Sequence, residues 1–158
     1  MALNKQPNSR MCFICGLQNP IGLRMALYND ADNQQVVSTV TIPAHFQGYP
    51  GVAHGGIVAS LLDEVAGRAL LLTGSDEELM VTIKLDVKYR QPTPTLTPLK
   101  VIGRVESISG NRAKTYGEIR LPDGTVTAEA NLLLTRPTRD FREQWVDEKP
   151  YWKVYPDA

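Results

Sequence analysis

The segment His54–Gly67, HGGIVASLLDEVAG, with its continuation to Leu72, constrains the fold most, because it reads as a helix with almost no solvent face. At about 100° per residue, Ile57, Val58, Leu61, Leu62, Val65, Ala69 and Leu72 gather into one broad apolar stripe suited to lie on a sheet. The opposite side carries Ala59, Asp63, Ala66, Gly67 and Leu70 in place of the Lys, Glu and Gln of an ordinary surface helix. A helix that is apolar nearly all round is buried nearly all round. A sheet covers one face, so a second subunit or a ligand is expected on the small-residue face. Arg68 falls at the edge of the stripe, where a long side chain is expected to snorkel toward water.

The rest of the chain supplies the sheet. From 80 to 90, Val81, Ile83, Leu85, Val87 and Tyr89 alternate with Thr82, Lys84, Asp86, Lys88 and Arg90, the period of a half-buried strand. This period-two pattern begins after Gly74. Pro92, Pro94 and Pro98 mark the next connection. Strands follow near 99–109, 112–121 and 125–135, joined by turns at Gly110–Asn111 and Pro122-Asp123-Gly124. Upstream, strands are expected near 23–28 and 35–42 with a turn over 29–33, and 43–50 is expected to be a loop. The organisation is α+β, with an antiparallel meander behind one long helix. Residues 1–11 are polar and expected to be loose and flexible, 12–136 form one domain, and the aromatic tail 137–158 is expected to pack on the body or on a partner.

At 158 residues, 42% of them apolar, the chain suits one globular domain. Lys plus Arg equal Asp plus Glu at 17 each, which argues against a general nucleic-acid binder. No apolar run approaches a membrane span, and MALNKQPNSRM lacks the apolar core of a signal peptide. The expected location is cytoplasmic, where Cys12 and Cys15 are not expected to form a structural disulfide.

Gly55 and Gly56 open the helix, where the first N–H groups lack intrahelical partners and the helix dipole favours negative charge. Two glycines admit a ligand oxygen close to the backbone, the chemistry needed to hold a carbonyl that becomes an oxyanion during acyl transfer. Asp63 lies eight residues on, about 12 Å along the axis, and one rigid helix cannot bring both groups to one carbonyl. Either the loop at Gly55 folds back or the two groups come from different subunits; both place the site at a dimer interface. Asp63 loses hydration on the small-residue face, so hydrogen bonds are needed to hold its charged form. Glu64 projects to the flank of the apolar stripe and is read as structural.

H-G-G-x(6)-D-E-x-x-G after Tyr49-Pro50-Gly51, followed by a meander whose first strand ends in Tyr89-Arg90-x-Pro92, resembles the hotdog-fold acyl-CoA thioesterases. CFICGLQNPIGL and FQGYPGVAHGG are most similar to the branch containing the phenylacetate-pathway thioesterases and their mammalian relatives. The resemblance covers about residues 12–136. It implies a sheet wrapped around one long central helix, homodimers with a continuous sheet and often dimers of dimers, and hydrolysis of acyl-CoA at the dimer interface with no metal or cofactor. Gly55 matches the backbone donor that polarises the thioester carbonyl, His54 the histidine that orders the turn, and Asp63 the carboxylate, acting as nucleophile or general base. Thr82, on the partner's strand, matches a hydroxyl that helps place the attacking water. Some relatives carry an Asn or Gln upstream of this turn, a place Gln47 can fill. Gly56, Ala59 and Gly67 are expected to border the acyl group, with room for a medium-chain or aromatic one. Arg90, Arg112 and Lys114 are the candidate cations for the CoA phosphates.

Other chemistries find less support. Cys12-x-x-Cys15 is half a zinc site, lacks a second pair, and does not sit between a strand and a helix as redox motifs do. No G-x-S-x-G elbow is present. A non-catalytic acyl-CoA binder has no need of a desolvated Asp, and a hydratase on this fold pairs its carboxylate with a histidine a few residues on, which is missing after Asp63.

Overall fold

The computed structural model describes residues 2–73 and 79–157, so the break at Gly74 lies outside the described residues. The strands and the long helix before the tail are β1 (Asn4–Lys5), β2 (Tyr28–Asp30), β3 (Gln35–Thr41), β4 (Gln47–Tyr49), β5 (Val52–Ala53), α1 (Gly55–Arg68), β6 (Val81–Tyr89), β7 (Pro98–Ser109), β8 (Arg112–Arg120) and β9 (Val126–Thr135). A 3-10 turn over Ala69–Thr73 extends α1, and a short helix α2 (Arg139–Gln144) begins the tail. Seven strands form one sheet in the order β1-β2-β3-β7-β8-β9-β6, every described pairing antiparallel. The sheet wraps α1, which packs on β7, β8 and β9: the α+β hotdog architecture.

The close seating of α1 has a specific cause. Gly103 of β7 pairs with Gly117 of β8, and Gly117 pairs with Ala130 of β9. These small residues form a trough under the helix. A Cβ on Gly103 would lie 2.1 Å from the Val65 carbonyl oxygen, and one on Gly117 would lie 3.2 Å from that of Leu62. Into this trough α1 buries Val58, Leu61, Leu62, Val65 and Ala66, against Val36, Leu99, Val101, Ile119, Leu132 and Leu134. Ala66 and Leu70, expected on the second face, are therefore buried by this chain's own fold. The second face narrows to Ala59, Asp63 and Gly67, all half-buried.

The N-terminal part departs from expectation in three ways. Residues 4–10 are ordered into the body: β1 pairs with β2, and Gln6 and Asn8 are each 1% exposed. Their polarity, read as looseness, serves buried hydrogen bonding, since Asn8 Nδ2 donates to the carbonyls of Cys15 (2.7 Å) and Met25 (3.1 Å). The strand expected at 23–28 is displaced to Tyr28–Asp30, because Met25 and Leu27 are buried while their backbone bonds to Ile14 and Gln6 in the turn region. The 43–50 loop carries a 3-10 turn over Ala44–Phe46 and strand β4, which pairs with β5.

The tail returns to the N-terminal segment. Lys153 bridges to Asn8, Glu148 accepts from the Arg10 backbone at 2.8 Å, and Asp157 takes hydrogen bonds from Lys5 and Tyr28.

Candidate active site

Strand β6 runs along α1 and bonds to it at its first residue and again past its middle. Near its start, Thr82 Oγ1 donates to Asp63 Oδ1 at 2.8 Å. At its finish, the Tyr89 hydroxyl donates to the Gly55 carbonyl at 2.6 Å. The first bond engages Oδ1 and holds the carboxylate in place beside β6. Thr82 was expected from a partner's strand; the geometry corrects this, because β6 of the same chain already passes beside Asp63. Tyr89 was not anticipated as a site residue. It belongs to the alternating pattern of the strand, and nothing local showed that its hydroxyl reaches the helix N-terminus.

The turn before α1 is built around His54. Its Nδ1 accepts from Gly56 N at 2.9 Å, capping the helix. Its own backbone N–H bonds to Phe46 O at 2.9 Å, while Ala53 N bonds to Thr93 O at 2.8 Å, so the loop is pinned on two sides. Gly56, expected among the substrate contacts, has its N–H committed to His54. Gly55, the leading residue of the helix, has no intrahelical acceptor for its N–H. Cation-free stabilisation of a developing oxyanion is the chemistry such an end provides.

Two clefts follow from this arrangement. One, of about 370 Å³, is lined by Asp63, Glu64, Gly67, Met80, Thr82 and Leu134 among others. The second, of about 380 Å³, is lined by His45, Phe46, Gln47, His54, Gly56, Ile57 and Ser60. Gln47 thus borders the helix N-terminus, while Ala59 sits one turn before Asp63 and lines neither cleft. Within one chain, Gly55 and Asp63 stay eight residues apart on a continuous helix, about 12 Å along its axis.

The expected phosphate cations do not form one group. Since β6 and β8 both run antiparallel to β9, Val81 and Arg112 share the partner Thr135, whereas Tyr89 lies opposite Ala128. Arg112 and Lys114 are therefore at the Thr82 end of the sheet. They alternate with the buried Ala113 and Thr115, so they point away from α1. Arg90 follows the far end of β6 and is held by Glu129 at 2.7 Å, an ion pair tied further to the Tyr116 hydroxyl. Strand direction places it most of the length of β6 away from the other two.

Arg68 is also corrected. It is buried, its guanidinium bonded to Glu64, Gln6, Pro7 and Cys15 and stacked on Trp152. Glu64 is thereby engaged in a structural ion pair at 2.9 Å. Burial outweighs that pairing and pushes its carboxyl up to about 7.

A family model described as thioesterase superfamily matches residues 50–128, half of the chain, and spans the turn, α1 and most of the meander. The chain belongs to the thioesterase superfamily. Among individual relatives, acyl-coenzyme A thioesterase THEM4 of Rattus norvegicus is 26% identical over 68% of the chain and 45% of its own length. A crystal structure of a thioesterase superfamily protein is 34% identical with a TM-score of 0.73, covering 80% of this chain and 60% of that one. The PaaI protein of E. coli, from the phenylacetic acid degradation operon, shares the fold at 20% identity and a TM-score of 0.59, covering 65% of this chain and 76% of that one. The chain thus spans about half the length of the curated relative it matches.

Proposed function

We propose that this superfamily member hydrolyses acyl-CoA thioesters to the free acid and CoA. The observation that carries this reading is Asp63, fixed by Thr82 at 2.8 Å and lining a cleft beside small residues, on a helix whose other end offers the Gly55 N–H. The Gly55 donor and the positive end of α1 polarise the thioester carbonyl and hold the oxyanion. Asp63 acts on the opposite side, as general base toward water or as nucleophile. Thr82 is its positioning residue. His54 holds the turn so that Gly55 is presented at the head of the helix, and Gln47 borders the same cleft.

Because α1 separates the two groups, the reading requires two chains, with Gly55 of one facing Asp63 of the other. Support comes from β6, which closes one edge of the sheet with its outer side unpaired among the described residues. Ile83, Leu85 and Tyr89 on it are 48%, 38% and 52% exposed, an apolar edge that an isolated chain leaves open to pairing. Two such edges side by side would continue the sheet across a two-fold axis. Arg112 and Lys114 are the cations we assign to the CoA phosphates. Ala59 and Gly67 leave space for a medium-chain or aromatic acyl group. Among the described residues no helix is long and apolar enough to cross a membrane. A cytoplasmic location is a separate part of the proposal. Thiol release across a panel of aliphatic and aromatic acyl-CoAs tests the reading; turnover of none of them, or a stable monomer that retains full turnover, contradicts it.

A further inference from the structure

Beside the proposed active site, and unused by its chemistry, lies a buried cluster around the two cysteines. Cys12 is half-buried and Cys15 is buried, both as free thiols. Their sulfurs and the Glu64 carboxylate all lie within 4.8 Å of one another, with Cys12 Sγ 3.8 Å from Glu64 Oε2. The turn between them closes through Gly16 N to Cys12 O (2.8 Å), and Cys15 N donates to Cys12 Sγ (3.4 Å). On the buried side, Arg68 Nη2 donates to Cys15 Sγ at 2.9 Å and Ser9 Oγ lies 3.4 Å from the same sulfur. The guanidinium occupies the place of the counter-cation for this group, between Cys15, Glu64 and the Trp152 ring.

We propose that Cys12 and Cys15 are a redox dithiol that reacts with low-molecular-weight disulfides, Cys12 attacking and Cys15 resolving. The asymmetry in exposure assigns the roles, since an incoming disulfide reaches Cys12 and not Cys15. The proton is shared in the same sense. Hydrogen bonding from Cys15 brings the Cys12 thiol down to about 7, whereas that bond and burial push Cys15 up. The Cys12 thiolate attacks one sulfur of RS–SR, forming the mixed disulfide Cys12–S–S–R and releasing RS⁻, which takes up a proton as RSH. Cys15 then passes its proton to Glu64 and attacks Cys12 Sγ, closing the Cys12–Cys15 bond. The second RS⁻ leaves with the proton from Glu64. Two thiols are oxidised, one disulfide is reduced to two RSH, and no other reactant is needed. Arg68 supports the thiolate character of Cys15 at the resolving step. Rotation of two side chains on one turn brings the sulfurs to the roughly 2.05 Å of a disulfide.

The test uses the full chain, reduced and desalted, with glutathione disulfide as probe and intact mass as readout. Wild type is expected to lose two hydrogens without retaining glutathione, and dithiothreitol should reverse the change. Cys15→Ser should accumulate one glutathione on Cys12, and Cys12→Ser should retain none while folded. In case either variant fails to fold, limiting iodoacetamide on the reduced wild type, read by peptide mapping, should label Cys12 before Cys15. Labelling in the reverse order, unreacted thiols in excess glutathione disulfide, or one equivalent of tightly held zinc that protects both sulfurs would each overturn the proposal.

Discussion

Substituting Gly103 by alanine attacks the contact that seats the central helix. The new Cβ would stand 2.1 Å from the Val65 carbonyl oxygen, where an ordinary C···O contact is about 3.3 Å or more. Both atoms are backbone-borne, since Cβ is fixed by β7 and the oxygen by α1, so no rotamer change relieves the clash. Restoring contact distance requires α1 to withdraw by roughly 1 Å, and a gap of that size forfeits about a quarter to a half of the dispersion energy across an interface. The helix face that would lift carries Val58, Leu61, Leu62, Val65 and Ala66, all 1% exposed or less. The expected loss is at the top of the overpacking range or beyond, about 3 kcal/mol or more. For a domain of this size it lowers Tm by roughly 6–12 °C. Gly67→Ala is the control: its Cβ meets only Leu134 Cδ2 at 3.8 Å, and alanine is favoured over glycine inside a helix by about 0.5–1 kcal/mol. Urea and thermal unfolding of the two variants decide the matter. A Gly103→Ala protein within about 0.5 kcal/mol of wild type, the scatter of an ordinary surface change, would refute the trough as the reason for the close packing.

Further outcomes follow from single contacts. His54→Ala removes the cap on Gly56 and should cost about 1 kcal/mol in urea unfolding, with a fall in turnover that added stabiliser does not recover. Tyr89→Phe removes the 2.6 Å bond to the Gly55 carbonyl and should cost about 0.5–1.5 kcal/mol by the same assay. Alkylation of Cys12 by iodoacetamide should be half-maximal near pH 7 and fall away below it as the thiolate is protonated, the groups facing it being Cys15, Glu64 and, through these, Arg68; a midpoint at the ordinary thiol value of about 8.5 would contradict the Cys12–Cys15 hydrogen bond.

What could be read from the residues, and what could not, divides by range. The strand at 81–89 shows in its own alternation, and the helix from Gly55 shows in its periodicity and its two opening glycines, because both signals are local. The separation of Asp63 from Glu64 followed from projection alone, and Glu64 is indeed turned toward Arg68 and the core side. Gly103 and Gly117 carried no such signal. Their meaning depends on strand register across β7 and β8, a long-range pairing that places them together under α1. The same holds for Ala66 and Leu70, which a helical wheel assigns to an outer face but which are buried in the core. Arg68 and the polar N-terminus misled for one shared reason: a buried guanidinium needs acceptors, and Gln6 and Pro7 provide them from a segment whose composition alone looked unstructured. The three basic residues were chosen for their places at strand ends, and the strand directions that set Arg90 apart from the other two come only from the pairing.

The proposed hydrolysis stands most directly on Asp63. Steady-state thiol release should be measured on the best acyl-CoA for wild type, Asp63→Asn and Asp63→Ala, with circular dichroism confirming that each is folded. A positioned general base contributes about 10²–10⁴-fold, so both variants should lose turnover by at least about 100-fold with KM little changed. Turnover by Asp63→Ala within a few-fold of wild type would contradict the account.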